Sequence, residues 1–313
     1  MRYVFSTGTV SRGHDAVKHV AREMKKRGIY LSRRRGQCLL TDESVWQRII
    51  KAAEISPNDV IIDIGTGPGY GLERIAPLCG RYIGVEIDRK CCEAAREKAE
   101  PFTNCTVMQA DILQDKHTLN PDVTTEIKKH AADKTGGCVK IVSNLPYSVA
   151  TPVIMNFCIQ REIPLDMMIV MVQKEVAHKL AARPGSASYS SVSAVCRMFC
   201  DPEILFQVSP GAFFPRPKVD SAVMRLLPRK VSDIFMPEED IGPFINFMRS
   251  VFNYSRKVIL NAVINSHAVD MPKKELRELF VKRDIDPGRS LASFAPQELY
   301  DVYSAVMQKE AVK

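Results

Sequence analysis

The sequence predicts an α/β fold, with a mostly parallel sheet covered by helices on both faces and ended by a hairpin. A small all-helical domain is predicted to follow. Two observations carry this reading. From about residue 41 to 227 strand-like runs alternate with helix-like runs of roughly ten residues, the pattern of consecutive crossover units. After residue 230 strand signals stop and amphipathic helical segments take over. At 313 residues, 45% hydrophobic and 26% charged, the chain can bury the core of one large and one small domain.

The elements follow in order. "DVIIDIG" (59–65) is a β-branched run ending in glycine and reads as the first strand. A helical stretch around "YGLERIAPLC" leads to a second strand, "RYIGVEID" (81–88). "DRKCCEAAREKAE" is helical, "CTVMQAD" (105–111) the third strand and "CVKIVSNL" (138–145) the fourth. The polar segment 115–137 between them reads as a loop-like insertion. "PVIMNFCIQ" is helical, and "DMMIVMVQ" (166–173) is the fifth strand. Residues 203–229 contain two strands joined by a Pro-rich connection, which makes seven strands with a terminal hairpin. "DIGPFINFMRSVFNYS", "RKVILNAVINSH", "KKELRELFVKRD" and "APQELYDVYSAVMQKE" are the helices of the last domain. The boundaries read from this pattern are a basic extension over 1–40, the α/β domain over 41–230 and the helical domain over 231–313.

The net charge of +8 makes a polyanion, above all nucleic acid, the expected class of partner. No run of residues reaches the ~20 apolar positions that would cross a bilayer, so no membrane partner is expected. The nine cysteines are scattered, and Cys196 and Cys200 form only an isolated CxxxC, so free thiols are expected and no metal centre. The first 35 residues hold ten Lys or Arg against Asp15 and Glu23. That composition suits either an organelle transit segment or an arm that grips RNA phosphates. Val17, Val20, Ala21 and Met24 have helical spacing, so part of the arm is expected to be ordered.

"DIGTGPGYG" follows the first strand with glycines at 65, 67, 69 and 71. The dinucleotide fingerprint fails here, since Tyr70 and Leu72 occupy the positions of its third glycine, and the P-loop ending is missing. An Asp-x-Gly-x-Gly-x-Gly turn remains, the shape used to bind S-adenosylmethionine (SAM). Without Cβ atoms, the backbone at Gly65, Gly67 and Gly69 turns tightly against a bulky ligand that carries no phosphate. Glu86 ends the second strand, placed to accept from both hydroxyls of a ribose. Asp111 ends the third, placed to accept from the exocyclic amine of the cofactor's adenine. Ile87 and Ile112 adjoin these acids and join the cofactor set.

"VSNLPYS" (142–148) follows the fourth strand beside the predicted crevice. It contains no acid, base or metal ligand, and transfer of a methyl to an aromatic amine needs none. The amine's lone pair is delocalised into its ring; it requires neutral acceptors that orient its two hydrogens. The Asn144 side-chain carbonyl and the backbone carbonyl of Leu145 are such acceptors. Pro146 fixes the backbone that aims the carbonyl. Tyr147 offers a face for a base drawn from its stack and for the positive charge that develops on nitrogen.

With these motifs the chain resembles the small-subunit rRNA adenine dimethyltransferases, which include the kasugamycin-sensitivity methyltransferase and mitochondrial transcription-factor-B-type relatives. The resemblance runs from residue 33 onward, through "RRRGQCLLTDESV", "VMVQKEVAHKLAARPGSASYSSVS", "VSPGAFFPRPKVDSAVMRL", "VFNYSRKVILNAV" and "IDPGRSLASFAPQELYDVY". It implies a Rossmann-like class I SAM-dependent methyltransferase fold. It places Gln37 and Leu39 over the cofactor, alongside Asn144, and Phe213 as a second aromatic against the target base. The implied reaction is dimethylation of two adjacent adenosines in the 3′-terminal hairpin of small-subunit rRNA, with a part in subunit assembly. The expected partners are that rRNA, the pre-small subunit and other assembly factors, with the free protein monomeric. Arg33, Arg34, Arg35, Arg183, Arg216, Lys218, Arg256 and Lys257 are expected on RNA phosphates.

The glycine loop departs from the family pattern: Gly71, Leu72 and Glu73 follow Tyr70 where a Leu-Thr pair is usual. Tyr70 and Glu73 are therefore expected to alter how the methyl donor is held. Lys179 replaces a usual Arg, and "NYSRK" replaces "QRRK". Rival readings are a non-catalytic or weakly active assembly factor, a mitochondrial transcription factor and a 23S-type methyltransferase. The basic start points to the mitochondrial matrix, with a bacterial cytoplasm as the alternative.

Overall fold

The structure is a computed structural model and describes residues 13–31, 36–132, 136–234 and 236–310. The chain groups into two compact units. The first holds Met1–Asn156, Glu162–Lys174 and Leu205–Arg225; the second holds Phe157–Arg161, Glu175–Ile204 and Leu226–Lys313. The boundary drawn at residue 230 is a single point of the chain, whereas by compactness two earlier segments group with the helices that follow it.

In the first unit the expected basic arm is in part a helix, α1 (Gly13–Lys26). Val20 and Met24 of α1, with Ile29, are buried against Cys91 and Ala94. A two-residue strand β1 (Leu39–Leu40) precedes α2 (Glu43–Ala53). The Asp42 side chain caps α2 by accepting from the Ser44 and Val45 N–H groups, two of the donors a helix start leaves orphaned. Next come β2 (Val60–Ile64), a short α3 (Leu72–Ile75), β3 (Arg81–Glu86), α4 (Arg89–Ala99) and β4 (Cys105–Gln109). All five residues of β2 are buried, as a central parallel strand covered on both faces requires.

The segment expected to be a loop, 115–137, is more ordered than its polarity suggested. A small hairpin, β5 (Leu113–Asp115) and β6 (Thr118–Leu119), leads into α5 (Pro121–Ala132). Val123, Ile127 and Ala131 recur every four residues and bury one stripe of α5, enough to fix an otherwise polar helix. Then follow β7 (Val139–Asn144), α6 (Ala150–Ile159) and β8 (Leu165–Gln173).

The strands β9 (Cys200–Val208) and β11 (Ser221–Pro228) complete the main sheet. Between them in sequence, β10 (Phe213–Phe214) pairs antiparallel with β1. The seven strands lie in the order β4-β3-β2-β7-β8-β11-β9. The pairs β2–β3, β3–β4, β2–β7 and β7–β8 are parallel. The order reverses between β2 and β7, and a crevice opens outside the strand ends at such a point. The glycine loop leaves β2 and "NLPY" leaves β7, so sequence positions almost eighty apart share that crevice.

The second unit is helical, with α7 (Lys174–Leu180), α8 (Ser191–Phe199), α9 (Glu238–Phe252), α10 (Ile259–Ser266), α11 (Lys273–Lys282) and α12 (Pro296–Glu310). The last four are the helices read from sequence. Phe244 meets the Tyr300 and Tyr303 rings edge to face, and Phe247 meets Tyr303 likewise, a favoured aromatic geometry. All nine cysteines are free thiols and six of them are buried. Among the described residues, no helix is long and apolar enough to cross a membrane.

Candidate active site

The loop after β2 is built on positive backbone angles. Gly65, Gly67 and Gly69 have φ of +74°, +57° and +87°, a region costly for residues with a Cβ. The glycines also permit close approach. A Cβ on Gly65 would stand 2.8 Å from the Pro146 ring, and one on Gly67 would stand 3.1 Å from Leu39. The loop is held by Val85, whose carbonyl accepts from the Gly65 and Thr66 N–H groups at 2.7 and 3.2 Å. Beneath it, Tyr82 donates to the buried Asp63 carboxylate at 2.6 Å, and its hydroxyl meets Thr66 Oγ1 at 2.7 Å. Burial pushes the Asp63 carboxyl up from its ordinary range.

Above the loop lies a cavity of about 260 Å³, slightly below the roughly 300–1,000 Å³ typical of small-molecule sites. Gln37, Leu39, Gly65, Gly67, Glu86, Ile87, Asp111, Ile112 and Asn144 all line it. Of the expected cofactor residues Gly69 alone stands outside the lining; a Cβ there would press on Ala95 at 3.1 Å, so this glycine serves the packing of α4.

Glu86 is 4% exposed, and each carboxylate oxygen accepts a backbone donor at 2.8 Å: Oε2 from Gly67 and Oε1 from Asp88. Two lone-pair positions remain, enough for the two hydroxyls of a ribose. Burial raises the Glu86 carboxyl above its usual value, partly offset by the two N–H donors. Asp111 is exposed and spends Oδ1 on the Leu113 N–H at 3.0 Å, which leaves Oδ2 for an exocyclic amine. Ile87 is 53% exposed although it lines the cavity, an apolar surface that suits a flat ring, whereas Ile112 is buried.

The chemistry of the lining fits SAM. It provides glycines bare of Cβ atoms, a carboxylate with spare acceptor capacity, an apolar face beside a second carboxylate and no phosphate-binding lysine.

Asn144 and Pro146 of "NLPY", with Ser148 and Val149 after them, form the opposite wall, whereas Leu145 and Tyr147 do not line the cavity. Asn144 donates its side-chain amide to the Cys38 carbonyl at 2.7 Å, which turns Oδ1 into the acceptor available to a ligand. Leu145 is buried and its N–H continues the sheet to Met171 at 3.1 Å. The carbonyl of Pro146 accepts from Val149 at 3.1 Å and closes the turn into α6. Tyr147 is half-buried, its hydroxyl 2.6 Å from the fully buried Ser221 Oγ, so the ring is tethered at its far end. Burial raises its phenol.

Phe213 is not brought to the cavity. Its ring is 2% exposed within the core cluster that includes Leu40, its partner across the β1–β10 ladder. The second face of the expected base clamp is therefore not formed in this structure. Arg33, Arg34 and Arg35 lie outside the described residues. Arg216 and Lys218 are exposed in the first unit; Arg183, Arg256 and Lys257 are exposed in the second.

Several contributors escaped the sequence. Cys38 orients Asn144 through its carbonyl, a contact no side-chain pattern signals. Gly36 has φ +67°, and a Cβ there would lie 2.6 Å from the Tyr147 nitrogen. A glycine between a basic run and an apolar pair was the available clue. Tyr70 and Glu73 do not line the cavity. Tyr70 donates to Glu23 on α1, and Glu73 accepts from Lys98 at 3.0 Å.

A family model described as ribosomal RNA adenine dimethylase matches residues 31–307. The chain is 38% identical over 238 residues to ribosomal RNA small subunit methyltransferase A of Pediococcus pentosaceus, covering 76% of each. It is 33% identical over 289 residues to the protein of that name from Pelotomaculum thermopropionicum, covering 88% of this chain and 93% of the relative. A solved dimethyladenosine transferase from Plasmodium falciparum superposes with a TM-score of 0.70 at 23% identity, over 87% of this chain and 98% of that one. The 23S rRNA methyltransferase ErmE superposes with a TM-score of 0.60 at 20% identity, over 86% and 100%. At these identities the two structures speak for the fold, which is that of a Rossmann-like methyltransferase with added helices. Both relatives named above are bacterial, so the mitochondrial placement read from the basic start, and with it the mitochondrial transcription-factor reading, is without support. Matched over most of its length, the chain belongs to the ribosomal RNA adenine dimethylase family.

Proposed function

We propose that the protein dimethylates the N6 amines of two adjacent adenosines in the 3′-terminal hairpin of small-subunit rRNA, with SAM as methyl donor. A bacterial cytoplasm is the setting and the pre-small subunit the partner, with a part in its assembly. One observation carries the reading: the Pro146 ring lies within 2.8 Å of where a Cβ on Gly65 would stand, which supports the cofactor loop and the Asn144 acceptor forming one site.

SAM supplies a methyl activated on a sulfonium. Glu86 holds the ribose hydroxyls, Ile87 and Ile112 flank the adenine, and Asp111 accepts from its amine. Gln37 and Leu39 close the site from the other side. For the target adenine, Asn144 Oδ1 and the Leu145 carbonyl accept the two amine hydrogens and direct the lone pair inward. Tyr147 presents a stacking face and tolerates the positive charge that develops on nitrogen. Its tether to Ser221 fixes that face before the base arrives, so positioning supplies most of the acceleration. The new N–C bond would form from the amine's lone pair as the methyl–sulfur bond breaks, its electron pair staying on sulfur in the departing S-adenosylhomocysteine, and the surplus proton would leave to water. Arg216, Lys218, Arg183, Arg256 and Lys257, with Arg33, Arg34 and Arg35, take phosphates and orient the RNA.

The test is mass spectrometry of small-subunit rRNA from cells lacking the gene, restored with wild type or Asn144→Ala. Dimethyladenosine returning with wild type alone supports the reading; unmodified adenosines with wild type overturn it.

A further inference from the structure

The cofactor cavity has an outer wall that the glycine loop does not supply. Leu31, Leu39 and Cys91 line the cavity and belong to one apolar cluster with Val20, Met24, Ile29 and Ala94. Helix α1 is the outer layer of that cluster. Among the described side chains of α1, Val20 and Met24 are buried, and polar contacts add to them.

Those contacts converge on Glu23. Tyr70 donates its hydroxyl to this carboxylate, Arg27 lies 3.3 Å from it and Lys98 3.8 Å from it. The Lys98 ammonium stands 3.7 Å over the Tyr70 ring and 3.0 Å from Glu73. A second strut runs from Arg27 to Glu97 at 2.6 Å. The Lys98 side chain is only 12% exposed and that of Glu23 20%, so solvent screens the group weakly. The Lys98 stem also passes 3.3 Å from where a Cβ on Gly69 would be, which places the group on the back of the cofactor loop.

We infer that Tyr70, Glu73 and Lys98 are positioning residues that latch α1 onto the cofactor wall through Glu23, and that the latch sets affinity for the methyl donor. None of the three lines the cavity, so they act through the seating of Leu31, Leu39 and Cys91. The inference rests on the cavity being the SAM site. If the cofactor needs the docked wall, docking and binding favour one another by the same factor. Cofactor must then protect α1 as much as α1 favours cofactor.

Three measurements on the full chain test this. In calorimetry with S-adenosylhomocysteine, and in methyl-transfer kinetics, Tyr70→Phe and Lys98→Met are expected to weaken cofactor binding. The Kd and the KM for SAM should rise roughly fivefold or more, the lower range of couplings between sites. The kcat and the KM for RNA should stay as in wild type, and Lys98→Arg should restore affinity. In limited trypsin digestion, S-adenosylhomocysteine should slow cleavage at Lys25, Lys26 and Arg27 in wild type and protect less in Tyr70→Phe. If wild type binds the cofactor and both variants match it with equal protection, the latch is refuted while the site stands. If wild type binds no cofactor, the reading of the cavity fails and the latch falls with it.

Discussion

The Asn144 side-chain amide donates to the Cys38 carbonyl at 2.7 Å, across 106 residues of sequence. A side chain with a carbonyl at one end and an amide at the other is thereby given one orientation, with Oδ1 left as an acceptor. Asn144→Ala removes that acceptor together with the hydrogen bond to the Cys38 carbonyl. The kcat for methyl transfer to small-subunit particles is expected to fall about a hundredfold or more, the scale for losing one preorganised polar group. A radiolabelled methyl-incorporation assay checks this, and a loss below tenfold would refute the acceptor role.

The hydroxyl pair of Tyr147 and Ser221, 2.6 Å apart, makes a second prediction. If Ser221 serves the site by tethering the ring, Tyr147→Phe and Ser221→Ala remove one and the same bond. Each is expected to lower kcat by roughly tenfold or less, and the double variant should be no worse than either single one. Tyr147→Ala, which removes the stacking face itself, should cost more than any of the three. Additive losses in the double variant would show that Ser221 acts by another route.

The sequence made the sheet, its terminal hairpin and the last four helices readable because their apolar periods are strong and local. Glu86, Asp111 and Asn144 were readable because Glu86 and Asn144 end strands and Asp111 follows one by two residues, and strand ends of a parallel sheet share one rim. What escaped depended on distant backbone. Gly36 packs on Tyr147, and the Cys38 carbonyl aims Asn144, through contacts made by main-chain atoms whose partners no residue type reveals. α5 was hidden by its polar face, which outweighed the narrow stripe of Val123, Ile127 and Ala131. Tyr70 and Glu73 were recognised as departures but assigned to the cofactor, because the docking of α1 behind the loop has no local signal. Phe213 fits its motif yet lies in the core, so motif and exposure disagree at that position.

Gly65 and Gly185 separate the two reasons for a glycine. Both have positive φ, +74° and +83°, but a Cβ on Gly65 would meet Pro146 at 2.8 Å while one on Gly185 meets nothing within 4 Å. Gly185→Ala should therefore cost only the backbone term, about 1–2 kcal/mol. Gly65→Ala should cost more than that and abolish binding of S-adenosylhomocysteine, since Pro146 must move. Urea unfolding and calorimetry of the two variants check the difference; equal losses would mean that the contact with Pro146 yields freely.

The last expectation concerns pH. Burial raises the Glu86 carboxyl above its ordinary 4.5, with Asp88 and Asp63 adding to the shift. A folded-state value above the unfolded one means that the folded protein holds this proton more tightly. Its contribution to stability is therefore full below the ordinary value and is lost as pH rises through the raised one. Cofactor binding runs the other way. The ribose hydroxyls donate, so they need the ionised carboxylate with its free lone pairs. Affinity for S-adenosylhomocysteine should be full above the raised value and decline as pH falls through it, beginning at a higher pH than an ordinary glutamate would allow. Glu86→Gln keeps the shape, removes the titration and should give weaker binding that is flat across the same window. Calorimetric titrations on both proteins through the acid range decide the matter, and a wild-type profile as flat as that of Glu86→Gln would remove Glu86 from the ribose site.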